Sequence, residues 1–229
     1  MVKAEVICRV FRIKCNECQC VGSVFTVEHN GEQYLVTAKH LFQRNNYNSI
    51  QKIALLLDNG YQDYSVEVFY HPAETVDIAV MRFCPKHDIS PRYNNQFSSG
   101  SLVYSQDMYF LGFPYDYDQR VVPLPNRKIP MPFVKKGCLS GFGEDADGIG
   151  WLYIDGINNP GFSGGPVCAN IQGKSIMGIC GVVCSYQSDK KVLFDDKDNQ
   201  TPYYIRGNTG IVNACDIKYV FEIIDQIKK

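Results

Sequence analysis

The sequence predicts an all-β fold in two lobes, closed by a C-terminal α-helix, and three observations carry that prediction. Short runs rich in Val, Ile, Tyr and Phe recur about every ten residues, the spacing of antiparallel β-proteins. They fall into two sets of six, separated by residues 84–101, which have little periodicity. From Asp216 to Lys229 the period changes: Ile217, Val220, Phe221, Ile224 and Ile227 repeat at three and four, as on an amphipathic helix. The 229 residues exceed a usual domain of roughly 150, which suits one large β domain or two lobes sharing an interface.

In chain order, the first lobe has strands at Glu5–Ile13, Gly22–Glu28, Tyr34–Thr37, Ile53–Leu57, Ser65–Tyr70 and Ile78–Phe83. Asn30-Gly31 and Asn59-Gly60 mark tight hairpin turns between consecutive runs. The second lobe has strands at Met108–Gly112, Phe133–Phe142, Gly150–Asp155, Gly165–Ala169, Ser175–Cys184 and Gly210–Asn213. Two long loops interrupt it. Residues 113–132 carry Pro114, Pro123, Pro125, Pro130 and Pro132, and residues 185–209 are polar. The expected division is a first lobe over 1–84, a linker over 85–105, a second lobe over 106–213 and the helix over 214–229.

Composition narrows the partners. With 45% hydrophobic and 21% charged residues the chain is globular, and its net charge of −1 lacks the basic excess of a nucleic-acid binder. The longest apolar run, Ile176–Cys184, is too short to span a membrane, and the N-terminus has no apolar secretory core. A cytoplasmic protein without nucleic-acid or membrane partners is expected. No nucleotide-binding loop of the G-x-x-x-x-G-K-[ST] type occurs, and no cofactor is expected.

The ten cysteines need their own account. Cys15, Cys18 and Cys20 form a C-x-x-C-x-C segment with Cys8 just upstream, and four thiolates could hold zinc tetrahedrally. No second C-x-x-C pair exists to complete a two-hairpin zinc site, so no metal is the preferred reading. Reduced thiols are expected instead, with Cys180 and Cys215 buried as small hydrophobes.

Three segments carry chemistry. In Asn159-Pro-Gly-Phe-Ser-Gly-Gly-Pro-Val167, Ser163 is flanked by Gly161, Gly164 and Gly165. Attack on a carbonyl needs an exposed hydroxyl on a tight turn, with free N–H groups nearby, and glycine permits that close approach. In Tyr34-Leu-Val-Thr-Ala-Lys-His-Leu-Phe42, a strand ends at Thr37 and delivers His40 just beyond it. A histidine, with an unperturbed pKa of about 6.5, can act there as a general base. In Thr75-Val-Asp-Ile-Ala-Val80, Asp77 opens an apolar strand, where a carboxylate wants a partner and an imidazole would serve. Each segment alone also reads as an ordinary turn or strand end; the order His, Asp, Ser across two lobes is far more specific. His29, His71 and His87 read as solvated histidines without a catalytic role.

The Thr-Ala-x-His, Asp-Ile-Ala and Gly-x-Ser-Gly-Gly-Pro segments resemble those of the chymotrypsin/trypsin-like serine peptidases, and most closely their compact bacterial branch. The resemblance runs from about Val21 to the final helix. It implies two six-stranded antiparallel β-barrels packed face to face, with the site in the crevice between them. It further implies Ser163 as nucleophile, His40 as general base and then acid, and Asp77 as the orienting carboxylate. The N–H groups of Gly161 and Ser163 would form the oxyanion hole. An extended protein or peptide substrate would pair with the strand Gly178–Cys184, with Gly181, Val182 and Val183 beside the specificity pocket and Gly210 in its wall.

The departures from that family are informative. Phe162 stands where secreted, zymogen-activated members have an aspartate that pairs with a new N-terminus, so the oxyanion hole must be ordered in another way. Ile157 stands where a trypsin-type pocket has its acid, which points to a neutral residue on the acyl side of the cut bond. The cysteine that usually follows the histidine is replaced by Leu41. The expected activity is that of a serine endopeptidase. The alternatives are a catalytically silent or latent peptide-binding module that needs a regulatory protein partner, and a thiol- or zinc-based sensor built on the cysteine segment. Loops 113–132 and 185–209 are the expected regulators, because loops around such a crevice reach the substrate.

Overall fold

The computed structural model describes residues 2–15, 20–42, 50–93, 96–117, 130–171 and 176–227. The first barrel is a closed ring of β1 (Val10–Cys15), β2 (Cys20–His29), β3 (Glu32–Thr37), β4 (Ile50–Leu57), β5 (Gly60–Tyr70) and β6 (Ala79–Phe83), in the order β1-β2-β3-β6-β5-β4. Its β2–β3 hairpin turns on Asn30 and Gly31, with φ of 50° and 79°, the paired left-handed backbone that an Asn-Gly turn supplies. A two-residue strand β7 (Gln96–Phe97) leads to the second barrel.

The second barrel contains β8 (Asp107–Gly112), β9 (Phe133–Glu144), β10 (Gly150–Asp155), β11 (Pro166–Asn170), β12 (Met177–Phe194) and β13 (Gln200–Asp216). These run in the order β11-β8-β9-β10-β13-β12, and β11 pairs back onto β12 to close the ring, with β7 added alongside β12. The chain therefore has the two six-stranded barrels and C-terminal helix of the chymotrypsin-like fold.

Period-two alternation sorts the side chains into three cores. In β3, Leu35 points into the first barrel, whereas Tyr34 and Val36 point out between the barrels. In β6, Ala79, Met81 and Phe83 go in and Val80 goes out. In β12, Cys180 and Val183 fill the second barrel, while Ile179 and Val182 join the shared core. Strands buried on both faces read as continuous apolar runs, which explains Met177–Cys184; Ile176, just before β12, is exposed. The final helix α2 (Lys218–Ile227) completes the shared core with Tyr219, Val220, Ile223 and Ile224. Its first turn is capped by Asp216, whose carboxylate accepts the Lys218 N–H at 2.9 Å.

The structure corrects two expectations. The run from Glu5 is not one strand: α1 (Ala4–Ile7) is a single helical turn, and β1 starts only at Val10. The turn places Val6 in the shared core. The expected loop 185–209 is instead a two-stranded ribbon, in which β12 and β13 continue past the barrel from Ser185↔Asn213 to Phe194↔Gln200. Residues 185–194 are exposed, so no hydrophobic alternation marked them as strand. Cross-strand pairing and the tight turn at its tip set the ribbon. There the Asp195 carboxylate accepts the N–H groups of Lys197 and Asn199, which hold its pKa below the usual carboxylate range. Of the 113–132 loop, residues 118–129 lie outside the described residues. No helix among the described residues is long and apolar enough to cross a membrane.

Candidate active site

His40 sits in a single 3-10 turn, Lys39–Leu41, just past the end of β3, and Asp77 lies two residues before the start of β6. Because β3 and β6 are paired (Thr37↔Ala79), the ladder itself brings the two residues together. The Asp77 carboxylate is used twice: Oδ1 accepts the His40 backbone N–H at 2.8 Å, and Oδ2 lies 2.7 Å from Nδ1. A carboxylate can only accept, so in the neutral imidazole Nδ1 carries the proton and Nε2 presents the lone pair. From behind, the Asp77 carbonyl is approached by the Cys184 thiol at 3.5 Å. Burial pushes that thiol's pKa well up, keeping it a neutral S–H.

Ser163 lies in the loop between β10 and β11 and shares an open cleft of about 280 Å³ with His40. Asn158, Asn159, Pro160, Cys184, Ser185 and Tyr186 complete its lining. The loop's glycines are structural necessities. Gly161 has φ +104°, and a Cβ there would lie 2.1 Å from the Phe113 carbonyl oxygen. Gly164 has φ +81° and presses against β3, so a Cβ would meet Thr37 Oγ1 at 2.1 Å.

Every backbone carbonyl from Asn159 to Ser163 accepts a hydrogen bond. Asn159 O takes the Phe162 N–H (3.2 Å), Pro160 O the Tyr115 N–H (3.0 Å), and Gly161 O the Ser23 hydroxyl (2.7 Å). Phe162 O takes the Gly165 N–H and Ser163 O the Ser23 N–H, each at 2.9 Å. Gly164 N–H donates to Val183 O at 2.7 Å. The N–H groups of Gly161 and Ser163, by contrast, have no acceptor among the described residues. Two spare donors two residues apart, beside the half-buried, cleft-lining Ser163, can receive an oxyanion.

Phe162 is fully buried, edge-on to Phe110 at 5.3 Å, with the Lys135 ammonium over its ring. Lys135 also donates to Ile157 O at 2.5 Å and to Asn159 Oδ1, bracing the cleft wall from outside. Burial lowers its pKa from the ordinary lysine value.

The residues expected beside the substrate are placed differently from the sequence reading. Gly181, Val182 and Val183 are buried with both edges occupied: Gly181 and Val182 pair with β11, all three pair with β13, and Val183 bonds Gly164 and Gly165. They offer no free edge. The β12 residues that line the cleft are Cys184, Ser185 and Tyr186, just past a β-bulge. The sequence signal for this was the loss of apolar character at Ser185. Ile157 is 59% exposed and, like Gly210, does not line the cleft. Gly210 (φ +83°) accepts the Gly156 N–H and so holds the wall indirectly.

The remaining candidates lie elsewhere. His29 and His71 pair with Asp225 and Glu222 of α2, and the His71 side chain is only 11% exposed, not solvated as expected. His87 stacks on Tyr64. Cys15 and Cys20 face each other across β1 and β2, Cys8 closes α1, and Cys18 lies outside the described residues. Among the described residues no cluster of three metal-ligating side chains forms. Cys180 and Cys215 are fully buried, as expected.

Comparison with known proteins agrees with this architecture. Residues 22–179 match the model of the trypsin-like peptidase domain. No curated protein sequence matches the chain. Among solved structures, it is similar to the Rv3671c protease of M. tuberculosis in its inactive form (14% identity, TM-score 0.60, covering 99% of this chain and 92% of that one). Deg5 is similar at 19% identity and a TM-score of 0.59, covering 95% and 88%. The serine endoprotease of Yersinia pestis is similar at 15% identity and a TM-score of 0.57; the match covers 97% of this chain but only 63% of that longer one. At such identities the structural likeness speaks for the fold, while the domain match covers more than half of the sequence. The chain belongs to the trypsin-like peptidase family.

Proposed function

We propose that the protein is a serine endopeptidase that hydrolyses peptide bonds through an acyl-enzyme. One observation carries the reading: His40, its ring tied to Asp77, shares a cleft with Ser163, whose loop keeps two N–H groups spare. Ser163 Oγ attacks the substrate carbonyl while His40 Nε2 takes the hydroxyl proton, and the new oxyanion is received by Gly161 and Ser163 N–H. The C–N bond then breaks and His40 returns the proton to the leaving amine. Water, deprotonated by the same histidine, attacks the ester and releases the carboxylic acid and Ser163. Asp77 holds the imidazole in the required tautomer throughout and stabilises its protonated form.

The substrate lies extended along the open edge of β12 that begins at Cys184, where pairing with β11 has ended. The residue on the acyl side of the cut bond is neutral, since Asn158, Asn159, Cys184, Ser185 and Tyr186 bring no charge to the cleft.

The test is labelling with a fluorophosphonate probe, comparing the wild type with Ser163→Ala and His40→Ala. Labelling that requires both residues supports the assignment. Labelling that survives Ser163→Ala removes Ser163 as nucleophile. A folded wild type that takes no probe leaves the latent or silent peptide-binding alternative.

A further inference from the structure

We propose that Ser23, in the first barrel, is the positioning residue that keeps the oxyanion site open; the inference rests on the peptidase reading above. Ser23 is fully buried in β2 and makes four hydrogen bonds. Its N–H donates to the Ser163 carbonyl at 2.9 Å, and its own carbonyl accepts the Thr37 hydroxyl at 2.6 Å. Its hydroxyl donates to the Gly161 carbonyl at 2.7 Å and accepts the Phe113 N–H at 3.0 Å. One buried residue thus holds the nucleophile's carbonyl, the oxyanion glycine's carbonyl and the start of the 113–117 segment.

The importance of those contacts follows from peptide geometry. In a trans peptide the C=O and N–H point to opposite sides of the plane, so holding a carbonyl aims the N–H of the same unit. Gly161 is the loop's softest joint, because glycine accepts nearly any φ and ψ. Its N–H keeps one direction only if the peptide planes on both sides are held. The Tyr115 N–H holds the preceding plane, through Pro160 O, and the Ser23 hydroxyl holds the following one.

The two braces meet at Ser23. Tyr115 is two residues beyond Phe113, and Phe113 N–H is anchored on the same hydroxyl. Tyr115 itself has φ 48° and ψ 34°, a left-handed conformation that a non-glycine residue holds only where its surroundings impose it. Removing the hydroxyl would leave a buried donor and acceptor unpaired and leave the plane after Gly161 held only by the 3.2 Å bond from Phe162 N–H to Asn159 O, so Gly161 gains freedom to rotate.

The experiment compares the wild type with Ser23→Ala and Ser23→Thr. It measures kcat and KM on a short peptide, affinity for a peptide boronic acid, affinity for the matching product peptide, and thermal melting. The boronate places a negative oxygen in the oxyanion site, whereas the product peptide reports cleft binding without a tetrahedral centre. Ser23→Ala should lower kcat about 10- to 100-fold with KM within about threefold, less than the outright loss of an oxyanion donor. Boronate affinity should fall in parallel, product affinity should hold, and Ser23→Thr should recover most of the loss.

If Ser23→Ala keeps wild-type kcat and boronate affinity, the proposal is wrong. It is equally wrong if the loss of activity merely follows the unfolded fraction, or if boronate and product weaken together. Should Ser23→Ala fail to fold, Ser23→Cys, close in volume but a weak donor, serves in its place and is judged by the same ratio of boronate to product affinity. A wild type that neither cleaves peptide nor takes the fluorophosphonate overturns the peptidase reading, and the brace with it.

Discussion

The two barrels supply the cleft in physically different ways. The first delivers His40 and Asp77 from the ends of two paired strands, so their separation is set by the β3–β6 ladder and the carboxylate needs only to close a short gap. The second delivers Ser163 from the loop between β10 and β11, which has no ladder of its own. That loop is held by separate point contacts from Ser23 in the other barrel, Tyr115 after β8, Lys135 at the start of β9, Val183 in β12, and Asn208 and Gly210 in β13. Ladder-borne groups tolerate the loss of one contact because neighbouring rungs remain. A loop held at points does not, and its sensitivity to single substitutions should be correspondingly broad.

The strongest break in the comparison lies on the ladder side, at the one contact with chemical meaning. Asp77→Asn should preserve the strand pairing, and hence the melting temperature to within a few degrees, but it would let the imidazole adopt the wrong tautomer. A fall in kcat of about 10³- to 10⁴-fold is expected from peptide kinetics. On the loop side, Gly161→Ala drives a Cβ to 2.1 Å from the Phe113 carbonyl and forces an unfavourable φ. A loss of at least ~100-fold in kcat is expected, with the barrels still folded by circular dichroism.

Lys135→Met sharpens the comparison further out. It removes the donor to Ile157 O and Asn159 Oδ1 while keeping an apolar stem over Phe162, so the effect on kcat/KM should be several-fold, smaller than a direct oxyanion loss. It also has a signature in pH. Burial lowers the Lys135 pKa in the folded state, so between that value and the ordinary lysine value the unfolded chain binds more protons. This group therefore makes stability rise with pH over the window just below the ordinary lysine range. In denaturant melts the stability of the wild type relative to Lys135→Met should rise as pH climbs through it; a constant difference would reject the shift.

The smallest effect should come from the ribbon. Replacing residues 189–207 with Asn-Gly keeps Ser188 and Asn208, which are paired across it, and keeps the Asn208 side-chain bond to the Asn158 carbonyl. Nearly everything removed is exposed, so melting should move by only a few degrees and short-peptide cleavage by less than about threefold. A change confined to long polypeptide substrates would assign the ribbon to substrate reading away from the cut bond.

What the sequence determined by itself was whatever is written in a short window. The helical period of residues 217–227, the Asn30-Gly31 hairpin and the doubly buried apolar strands are local patterns, and each formed where its period placed it. The His40, Asp77 and Ser163 segments were legible for the same reason, since a strand end or a glycine-flanked turn is a local construction. Tertiary structure alone decided the rest. The ribbon's residues face water on both sides and have no alternation, so only cross-strand pairing makes them strands. The open edge of β12 starts at Cys184 and not at Gly181, because β11 occupies the edge up to Val182 and a bulge follows Val183. Ser23 is an ordinary strand residue until folding brings it against a carbonyl 138 residues away. Local periodicity can mark which side chains are buried, but the partner of a buried hydroxyl is fixed only when the two barrels close on each other.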